Sequence, residues 1–162
     1  MGKDGYIILT DFGLSKRIGE NQLALTFCGT IDYLAPEIIK GEGGDFIIDW
    51  WALGILTYEF LYGNTPFNSN DDQQIYQGIL INQIEFDKNI DVSLNARNFI
   101  TKLLNKNKME RLGSQNGAIE IKNHVWFSDI DWDQLYNKQI QPTYIPDIQN
   151  QQFIDPEFEN QK

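Results

Sequence analysis

The sequence has little cysteine, little histidine and little positive charge. Its single cysteine, Cys28, excludes a disulfide framework and favours a reducing compartment. The formal net charge of −10 argues against binding to nucleic acid or to an anionic membrane surface. No apolar run reaches the roughly 18 residues of a membrane span, and no leader pattern opens the chain. These absences predict a cytoplasmic globular protein with basic partners.

Hydrophobic and capping patterns predict a mainly helical chain. Residues 46–62 are apolar around almost the whole circumference of a helix and end at Gly63, so this helix is expected to be the buried axis of the domain. Further helices are predicted from the capping residues 69–72 to about Ile81, from Ser93, and over residues 117–125. An apolar stripe on the helix after Ser93 comprises Leu94, Phe99, Ile100, Leu103 and Leu104.

The first residues combine a turn signal with a strand pattern. Asp4-Gly5 is a two-residue hairpin signal, and residues 6–10 are apolar and β-branched, which is typical of a short strand. Only residues 1–3 precede the turn, so the sequence is expected to start within a fold. At the other end, residues 128–162 are polar and interrupted by proline, which predicts an extended tail.

Two short triplets lie at either end of a long segment rich in turn residues. Asp11-Phe12-Gly13 follows the predicted strand directly, and Ala35-Pro36-Glu37 stands further along the segment 14–45. One triplet alone is a weak signal, since a strand followed by a tight turn is an ordinary arrangement. Both triplets in this order, joined by a long loop, are typical of phosphoryl-transfer enzymes.

The chain resembles the C-terminal lobe of an AGC-group serine/threonine protein kinase with part of its C-terminal tail. The resemblance implies a mainly α lobe with a small β remnant over residues 1–127, and a partial tail over residues 128–162. Its motifs are most similar to those of the cyclic-nucleotide-dependent kinases, and Ile84-Glu85-Phe86 favours the cyclic-GMP-dependent branch. The other motifs are Thr26-Phe27-Cys28-Gly29-Thr30, Asp49-Trp50-Trp51-Ala52-Leu53-Gly54, Arg111-Leu112-Gly113 and Ile121-Lys122-Asn123-His124-Val125-Trp126-Phe127.

For the complete kinase, this resemblance implies ATP and Mg²⁺ as cofactors. Asp11 would be a ligand of the metal that bridges the nucleotide phosphates, and a carboxylate suits such a hard cation. Phe12 would pack under the nucleotide, Gly13 would let the backbone swing, and Phe153 would lie against the adenine. Neither cofactor is expected to bind tightly to the 162 residues alone.

The segment between the triplets resembles the activation segment of these kinases. Thr26 matches its phosphosite. A dianionic phosphate there could order the loop by recruiting basic groups such as Lys16. Thr30 matches the threonine that steadies the catalytic base. The implied partners are an upstream kinase for Thr26 and a cyclic-nucleotide-binding regulatory domain or subunit.

Substrate recognition is implied for four residues. Glu59 is an acidic residue on an apolar helix, which is costly without a partner; in the family it faces a substrate arginine and is braced by Tyr33. An internal hydrogen bond with Tyr33 alone is the alternative, and both can hold. Phe27 and Leu34 fit the pocket for the residue after the phosphoacceptor, or simply pack. Two neighbouring positions, where the family usually has Pro and Glu, carry Ile31 and Asp32.

Three residues have implied structural roles. Glu37 and Arg111 match a buried ion pair that ties the activation segment to the helical core. Asp49 stands near the start of the predicted 46–62 helix and would cap its N-terminus. The resemblance implies that it also accepts hydrogen bonds from the backbone of the catalytic loop.

Phosphoryl transfer also needs a glycine-rich phosphate loop, a charge-pairing Lys, a catalytic Asp and an Asn for a second metal. None of these is found in the 162 residues, so no catalytic residue is assigned and the isolated chain is predicted to be inactive. Two hypotheses follow. The chain is part of a kinase that phosphorylates Ser or Thr near basic residues, or it is a non-catalytic module or decoy that binds substrates or partners. A third, an unrelated helical interaction domain, is disfavoured by several motifs in one order.

Overall fold

The computed structural model describes residues 1–18, 23 and 29–147. Leu14–Ile130 form one compact unit, and Met1–Gly13 with the segment from Asp131 onward form another. The regular elements of the described residues are all helical, so the predicted mainly α fold is confirmed. None of these helices has both the length and the apolarity needed to cross a membrane. They are α1 (Pro36–Ile39), α2 (Ile47–Tyr62), α3 (Asp72–Ile81), α4 (Leu94–Leu103), α5 (Ala118–Lys122), α6 (Trp132–Tyr136) and the 3₁₀ turns Ile31–Tyr33 and Val125–Phe127.

Helix α2 lies at the centre of the core of the larger unit. Trp51 and Ile55 on this helix have no exposed surface. The helix ends at Gly63, whose φ of 81° lies in the left-handed region that favours glycine, so the predicted helix and its C-cap are confirmed. The expectation that every face is buried is wrong, because Phe60 is 79% exposed.

Helices α2 and α4 approach each other closely at Gly54. A Cβ atom there would lie 2.7 Å from Leu104 Cδ2 and 2.9 Å from Leu103 Cβ. The predicted apolar stripe of α4 is buried except for Leu94, which is 80% exposed. The spacing explains this correction: Ala96, Phe99, Ile100 and Leu103 share one helix face, and Leu94 lies two residues before the first of them.

Short polar side chains cap the N-termini of α3 and α4. Asp71 Oδ1 accepts from the Gln73 N–H at 2.9 Å at the start of α3, and Ser93 Oγ accepts from the Ala96 N–H at 3.2 Å at the start of α4. Both helix starts were predicted from these residues. The polar caps account for the two boundaries because they satisfy N–H groups that a helix cannot pair internally.

The N-terminus of α2 corrects one prediction. Asp49 lies inside the first turn of α2 and makes no capping bond. Asp45 takes that role, since its Oδ1 accepts from the Ile47 N–H at 2.9 Å. A cap must precede the first helical residue, and Asp49 lies inside both the predicted and the observed helix, whereas Asp45 precedes it.

A second apolar cluster lies between α4 and the segment that follows α5. Phe99, Leu103 and Ile121 are buried there, with Trp126 and Phe127 packed against them. The loop before α5 is held by Glu120, whose carboxylate accepts the N–H groups of Gly113 and Gln115 at 2.8 and 2.9 Å and also that of Asn116. The short helix predicted over residues 117–125 is therefore present, although α5 ends at Lys122.

The smaller unit contains the predicted turn but not the predicted strand. The Gly2 N–H donates to the Tyr6 carbonyl at 2.8 Å, and Gly5 has a φ of 82°. Residues 6–10 form no strand, because none of the described residues pairs with them in a ladder. Instead, the Tyr6 hydroxyl donates to the Ile140 carbonyl. The predicted irregular tail includes helix α6, whose first N–H groups donate to Asp131.

Candidate functional site

Tyr33 and Glu59 form the centre of a polar site in the larger unit. Tyr33 ends the 3₁₀ turn Ile31–Tyr33, and Glu59 lies on the last turn of α2. The Tyr33 hydroxyl donates a hydrogen bond to Glu59 Oε2. Both side chains are half-buried, so the contact is partly shielded from water while remaining open to a ligand. The structure therefore brings together two of the residues assigned to substrate binding.

The surroundings of Tyr33 keep its hydroxyl protonated. Burial raises the pKa of Tyr33 to about 12, and the hydrogen bond to Glu59 and the negative charges of Glu59 and Asp32 add to this effect. A protonated phenol can donate to a carboxylate, whereas a phenolate cannot. At neutral pH the Tyr33 hydroxyl is therefore a permanent hydrogen-bond donor to the Glu59 carboxylate.

A second carboxylate lies beside the same tyrosine. The Thr65 hydroxyl donates to Asp32 Oδ1 at 2.8 Å and fixes this side chain in the 3₁₀ turn. Asp32 and Glu59 have no Lys or Arg within ion-pair distance among the described residues. Half-buried carboxylates without a cation favour the binding of a positively charged group. The site is thus suited to a guanidinium or ammonium group.

Of the other two residues assigned to substrate binding, only Leu34 lies within the described part of the chain. Leu34 is only 8% exposed and belongs to the core, so most of its surface is covered by neighbouring residues. Phe27 lies outside the described residues, as does the predicted phosphosite Thr26. The apolar pocket for the residue after the phosphoacceptor stays a prediction.

Glu37 and Arg111 form a buried ion pair, as the resemblance implied. Arg111 Nη1 lies 2.7 Å from Glu37 Oε1, and Arg111 Nη2 lies 2.9 Å from Glu37 Oε2. Arg111 also donates to the carbonyls of Asn105 and Ile47, at 3.1 and 3.2 Å, and its guanidinium lies over the Trp51 ring. These bonds tie the start of α1, where Ala35 and Pro36 are also buried, to α2 and to the loop after α4.

Asp49 faces solvent from the first turn of α2. Protein packed against one side of its carboxyl group removes water there and raises its pKa. The Asp49 carboxylate accepts no hydrogen bond from any of the described residues. Asp49 is therefore an available acceptor rather than the helix cap that was predicted.

The Asp11-Phe12-Gly13 triplet belongs to the smaller unit and is exposed. Asp11 has a φ of 59°, and its Oδ1 accepts from the Gly13 N–H at 3.2 Å. Phe12 is 62% exposed. The carboxylate of Asp11 is a suitable oxygen ligand for Mg²⁺. In the described part of the chain, no three His, Cys, Asp or Glu side chains gather into a metal site, so Asp11 would provide one ligand only.

Lys16 and Thr30, which were predicted to belong to an activation segment, are exposed in the larger unit. Thr30 precedes the 3₁₀ turn, and its carbonyl accepts from the Tyr33 N–H at 3.1 Å, while its side chain makes no capping bond. Phe153, assigned to the nucleotide site, lies outside the described residues.

Comparison of the sequence with models of protein families agrees with this geometry. Residues 1–127 match the model of the protein kinase domain. The chain belongs to this family. It is 44% identical, over 98% of its length, to the serine/threonine-protein kinase Sgk1-A of Xenopus laevis, of which it covers 37%. It is 43% identical to human Sgk1 over the same shares.

A kinase other than Sgk1 has a similar sequence identity to this chain. The cAMP-dependent protein kinase catalytic subunit of Dictyostelium discoideum is 45% identical over 91% of the chain, which covers 22% of that protein. The chain spans less than two fifths of the length of these curated relatives. Together the relatives support the AGC-group resemblance, and the similar identities do not separate its branches.

Sequence reasoning missed two features of this kinase domain. The first is the bond from Thr65 to Asp32, because the two residues lie 33 positions apart and no pattern links them. The second is Lys106, whose Nζ atom reaches the carbonyls at the end of α3. Its only signal was a lysine between apolar and turn segments, which is usually a solvated side chain.

Proposed function

We propose that this chain is part of an AGC-group serine/threonine protein kinase that transfers the γ-phosphate of ATP to Ser or Thr near basic residues. The observation that carries the proposal is the hydrogen bond from Tyr33 to Glu59, with Asp32 beside them and no Lys or Arg of the described residues within ion-pair distance of either carboxylate. The kinase family supplies the reaction class, and this site supplies the preference for a basic substrate.

The site would recognise arginine through its carboxylates. One Glu59 oxygen accepts from the Tyr33 hydroxyl, and the other has no hydrogen-bond partner among the described residues, so a ligand can bind it. One Asp32 oxygen accepts from the Thr65 hydroxyl, and the second is likewise unpaired in the part of the chain that the structure describes. A guanidinium group presents several N–H donors in one plane, so it can bond to such oxygens more fully than an ammonium group can. Arginine is therefore favoured over lysine.

In the complete kinase, ATP would supply the phosphoryl group and Mg²⁺ would offset the phosphate charge. Asp11 is the residue proposed to hold the metal, because its exposed carboxylate has one oxygen bonded to Gly13 N–H and another oxygen available. Thr26 is proposed as the site at which an upstream kinase would add a regulatory phosphate, with Lys16 as one basic partner.

Within the AGC group, we propose the cyclic-nucleotide-dependent branch. The motifs around Thr26, Asp49 and Arg111, and the Ile84-Glu85-Phe86 sequence, support it. The similarity to the Dictyostelium catalytic subunit is compatible with it. Comparable identity to Sgk1 proteins means that a regulatory partner must be tested directly, by adding a cyclic-nucleotide-binding regulatory subunit and measuring association.

A second function is proposed for the 162 residues on their own, namely binding without transfer. The Tyr33–Glu59 site lies wholly within one compact unit, whereas the sequence has no glycine-rich phosphate loop or paired catalytic Asp and Asn. Such a polypeptide can occupy a substrate without phosphorylating it.

One experiment tests both functions. The purified 162-residue chain is mixed with a labelled serine peptide rich in arginine, and binding and Mg²⁺-dependent phosphate incorporation are measured separately. Binding that weakens when the arginines are replaced by glutamine, without incorporation, is the expected result. Incorporation would contradict the binding-only function. Equal affinity for the two peptides would contradict recognition by Glu59 and Asp32.

A further inference from the structure

The segment that follows α3 runs in an extended conformation without joining a sheet. Residues 82–87 contain no helix, turn or bend, and Asn82 at their start has a φ of −74° and a ψ of 145°. Burial alternates along the segment, since Ile84 and Phe86 are half-buried whereas the residues before, between and after them are exposed. Successive side chains of an extended chain point to opposite faces, so this segment resembles a strand with one face on the core.

The inward face of this segment is fixed by packing. Ile84 and Phe86 pack against the core of the larger unit. The centre of the Phe86 ring lies 5.9 Å from that of Tyr58 and 5.8 Å from that of Tyr62, and the Arg97 guanidinium lies 5.9 Å from the same ring centre. The segment is therefore held in place before any partner binds, which lowers the entropic cost of binding.

One edge of the segment is covered, and the other is open. The Glu85 carbonyl accepts from the Tyr58 hydroxyl at 2.8 Å, so the edge to which Glu85 presents its backbone faces α2. Neighbouring residues of an extended chain present their N–H and C=O groups to opposite edges, so Ile84 and Phe86 present theirs to the other edge. None of the described residues bonds to these backbone groups of Ile84 and Phe86. Such an edge is a template for a further strand.

The exposed face of the segment is acidic. Glu85 and Asp87 are exposed, and neither belongs to an ion pair within the described part of the chain. Glu85 also lines a cavity of about 660 Å³, between the segment, α3 and the loop after α2, which has room for a long side chain. A second copy of this segment would place carboxylate opposite carboxylate, which is destabilising, whereas a basic strand would place opposite charges there.

We infer that residues 83–87 bind an extended polypeptide segment with basic residues at alternate positions, by adding it as an antiparallel strand. In this arrangement Ile84 and Phe86 each exchange both backbone bonds with one residue of the partner. Residues directly opposite one another have their side chains on the same face of the sheet. The basic side chains of the partner therefore lie opposite Glu85 and Asp87, and its intervening residues make the backbone bonds.

This surface uses no residue of the candidate substrate site, although it belongs to the same unit. Tyr58, which holds the Glu85 carbonyl, directly precedes Glu59 on α2, and α3 packs against the 3₁₀ turn that carries Tyr33. The inference does not depend on the proposed kinase function, because it rests on the contacts of residues 82–87. Arginine binding at Tyr33 and Glu59 is measured with a different peptide, so the two can fail independently.

Matched peptides test the inference on the full 162-residue chain. The probe is a short labelled peptide of alternating lysine and valine, which contains no serine, threonine or arginine. N-methylation of its valines removes the N–H groups that would donate to the Ile84 and Phe86 carbonyls, so affinity should fall roughly tenfold or more. N-methylation of its lysines, whose N–H groups would face away, should change affinity by less than about twofold.

Two measurements on the chain locate the bound peptide. The unmethylated peptide should slow amide hydrogen exchange at Ile84 and Phe86 roughly tenfold or more, with little change at Glu85. At low salt, Glu85→Gln should weaken binding roughly two- to fivefold, whereas Glu42→Gln, at an exposed carboxylate of the same unit, should not. No binding of the unmethylated peptide, equal affinity of the two methylated peptides, or protection at Tyr33 instead of Ile84 and Phe86 would overturn the inference.

Discussion

Arg111 and Glu37 lie 74 positions apart in the sequence and make two hydrogen bonds, of 2.7 and 2.9 Å, in a site where neither side chain is more than 3% exposed. The two parallel bonds fix the orientation of both side chains. Because α1 follows directly on the 3₁₀ turn that carries Tyr33, the ion pair also anchors the segment that forms one side of the candidate substrate site.

Removal of Arg111 alone is expected to destabilise the chain strongly. Arg111→Met would leave the Glu37 charge buried without a partner and lower the free energy of unfolding by roughly 3–5 kcal/mol, measured by urea denaturation. Adding Glu37→Met should recover much of that loss. Lys108→Met, which breaks the more exposed pair with Asp45, is the control and should cost less than about 1 kcal/mol. A double variant as unstable as Arg111→Met would count against this account.

Gly54 is expected to resist substitution by alanine even though it lies within a helix. Alanine favours helix formation by about 1 kcal/mol over glycine. At this position, however, the added Cβ would meet Leu104 at 2.7 Å and Leu103 at 2.9 Å. Overpacking of this kind costs roughly 1–3 kcal/mol, so Gly54→Ala is expected to be less stable than the parent by up to about 2 kcal/mol. Thermal unfolding of Gly54→Ala measures the difference. A variant more stable than the parent would show that α2 and α4 do not cross closely here.

His124 should make stability depend on pH below neutrality. Its Nε2 lies 3.0 Å from Asn98 Oδ1, and its Nδ1 accepts from the Trp126 N–H at 3.2 Å, so the folded chain needs the neutral ring. Burial lowers the pKa of His124, and the positive charge of Lys102 adds to the effect. The unfolded chain therefore binds a proton first as pH falls through about 6.5, and stability drops by up to about 1.4 kcal/mol per pH unit.

The variant His124→Gln isolates this effect, because it has no group that titrates in that range. Its free energy of unfolding, measured by urea denaturation between about pH 5 and about pH 7, should vary less with pH than that of the parent. Parallel curves for the two proteins would exclude His124 as the source of the pH dependence.

Tyr33 is expected to make stability fall as pH rises at high pH, the opposite of the dependence expected for His124. Its pKa is raised to about 12 in the folded chain, chiefly by burial, from an ordinary value of 10.0. Folded Tyr33 keeps a proton that the unfolded chain loses, so its contribution to stability disappears as pH rises from about 10 to about 12. Phenolate absorbance of the parent and of Tyr33→Phe, with Tyr136→Phe as an exposed control, measures the ionisation. A Tyr33 signal that appears together with that of Tyr136 would contradict the raised pKa.

The sequence predicted features that depend on local patterns. The starts of α3 and α4 follow from Asp71 and Ser93, and the end of α2 follows from Gly63, because capping acts within a few residues. The short helix α6 was missed, although Asp131 is a suitable cap, because five residues give too little periodicity to detect.

Long-range relationships were predicted only where the family resemblance supplied them. It implied the contacts of Glu37 with Arg111 and of Tyr33 with Glu59, which the structure contains. The prediction of a strand over residues 6–10 was wrong, because residues with high strand propensity form a strand only when a neighbouring strand pairs with them. The environment of Lys106 could not be predicted from the sequence, since it is made by Trp51, Phe67 and Ile79, which are distant in the chain.

A double-mutant cycle between Glu59 and a substrate arginine is the most direct test of the proposed recognition site. Peptides with arginine or its neutral analogue citrulline are titrated into the parent chain and into Glu59→Gln, and Asp91→Asn serves as a control at an exposed carboxylate of the same unit. If Glu59 binds the arginine, the coupling free energy is expected to be roughly 1.5–3 kcal/mol for Glu59 with arginine and zero for Asp91. A coupling near zero for Glu59 would contradict this recognition.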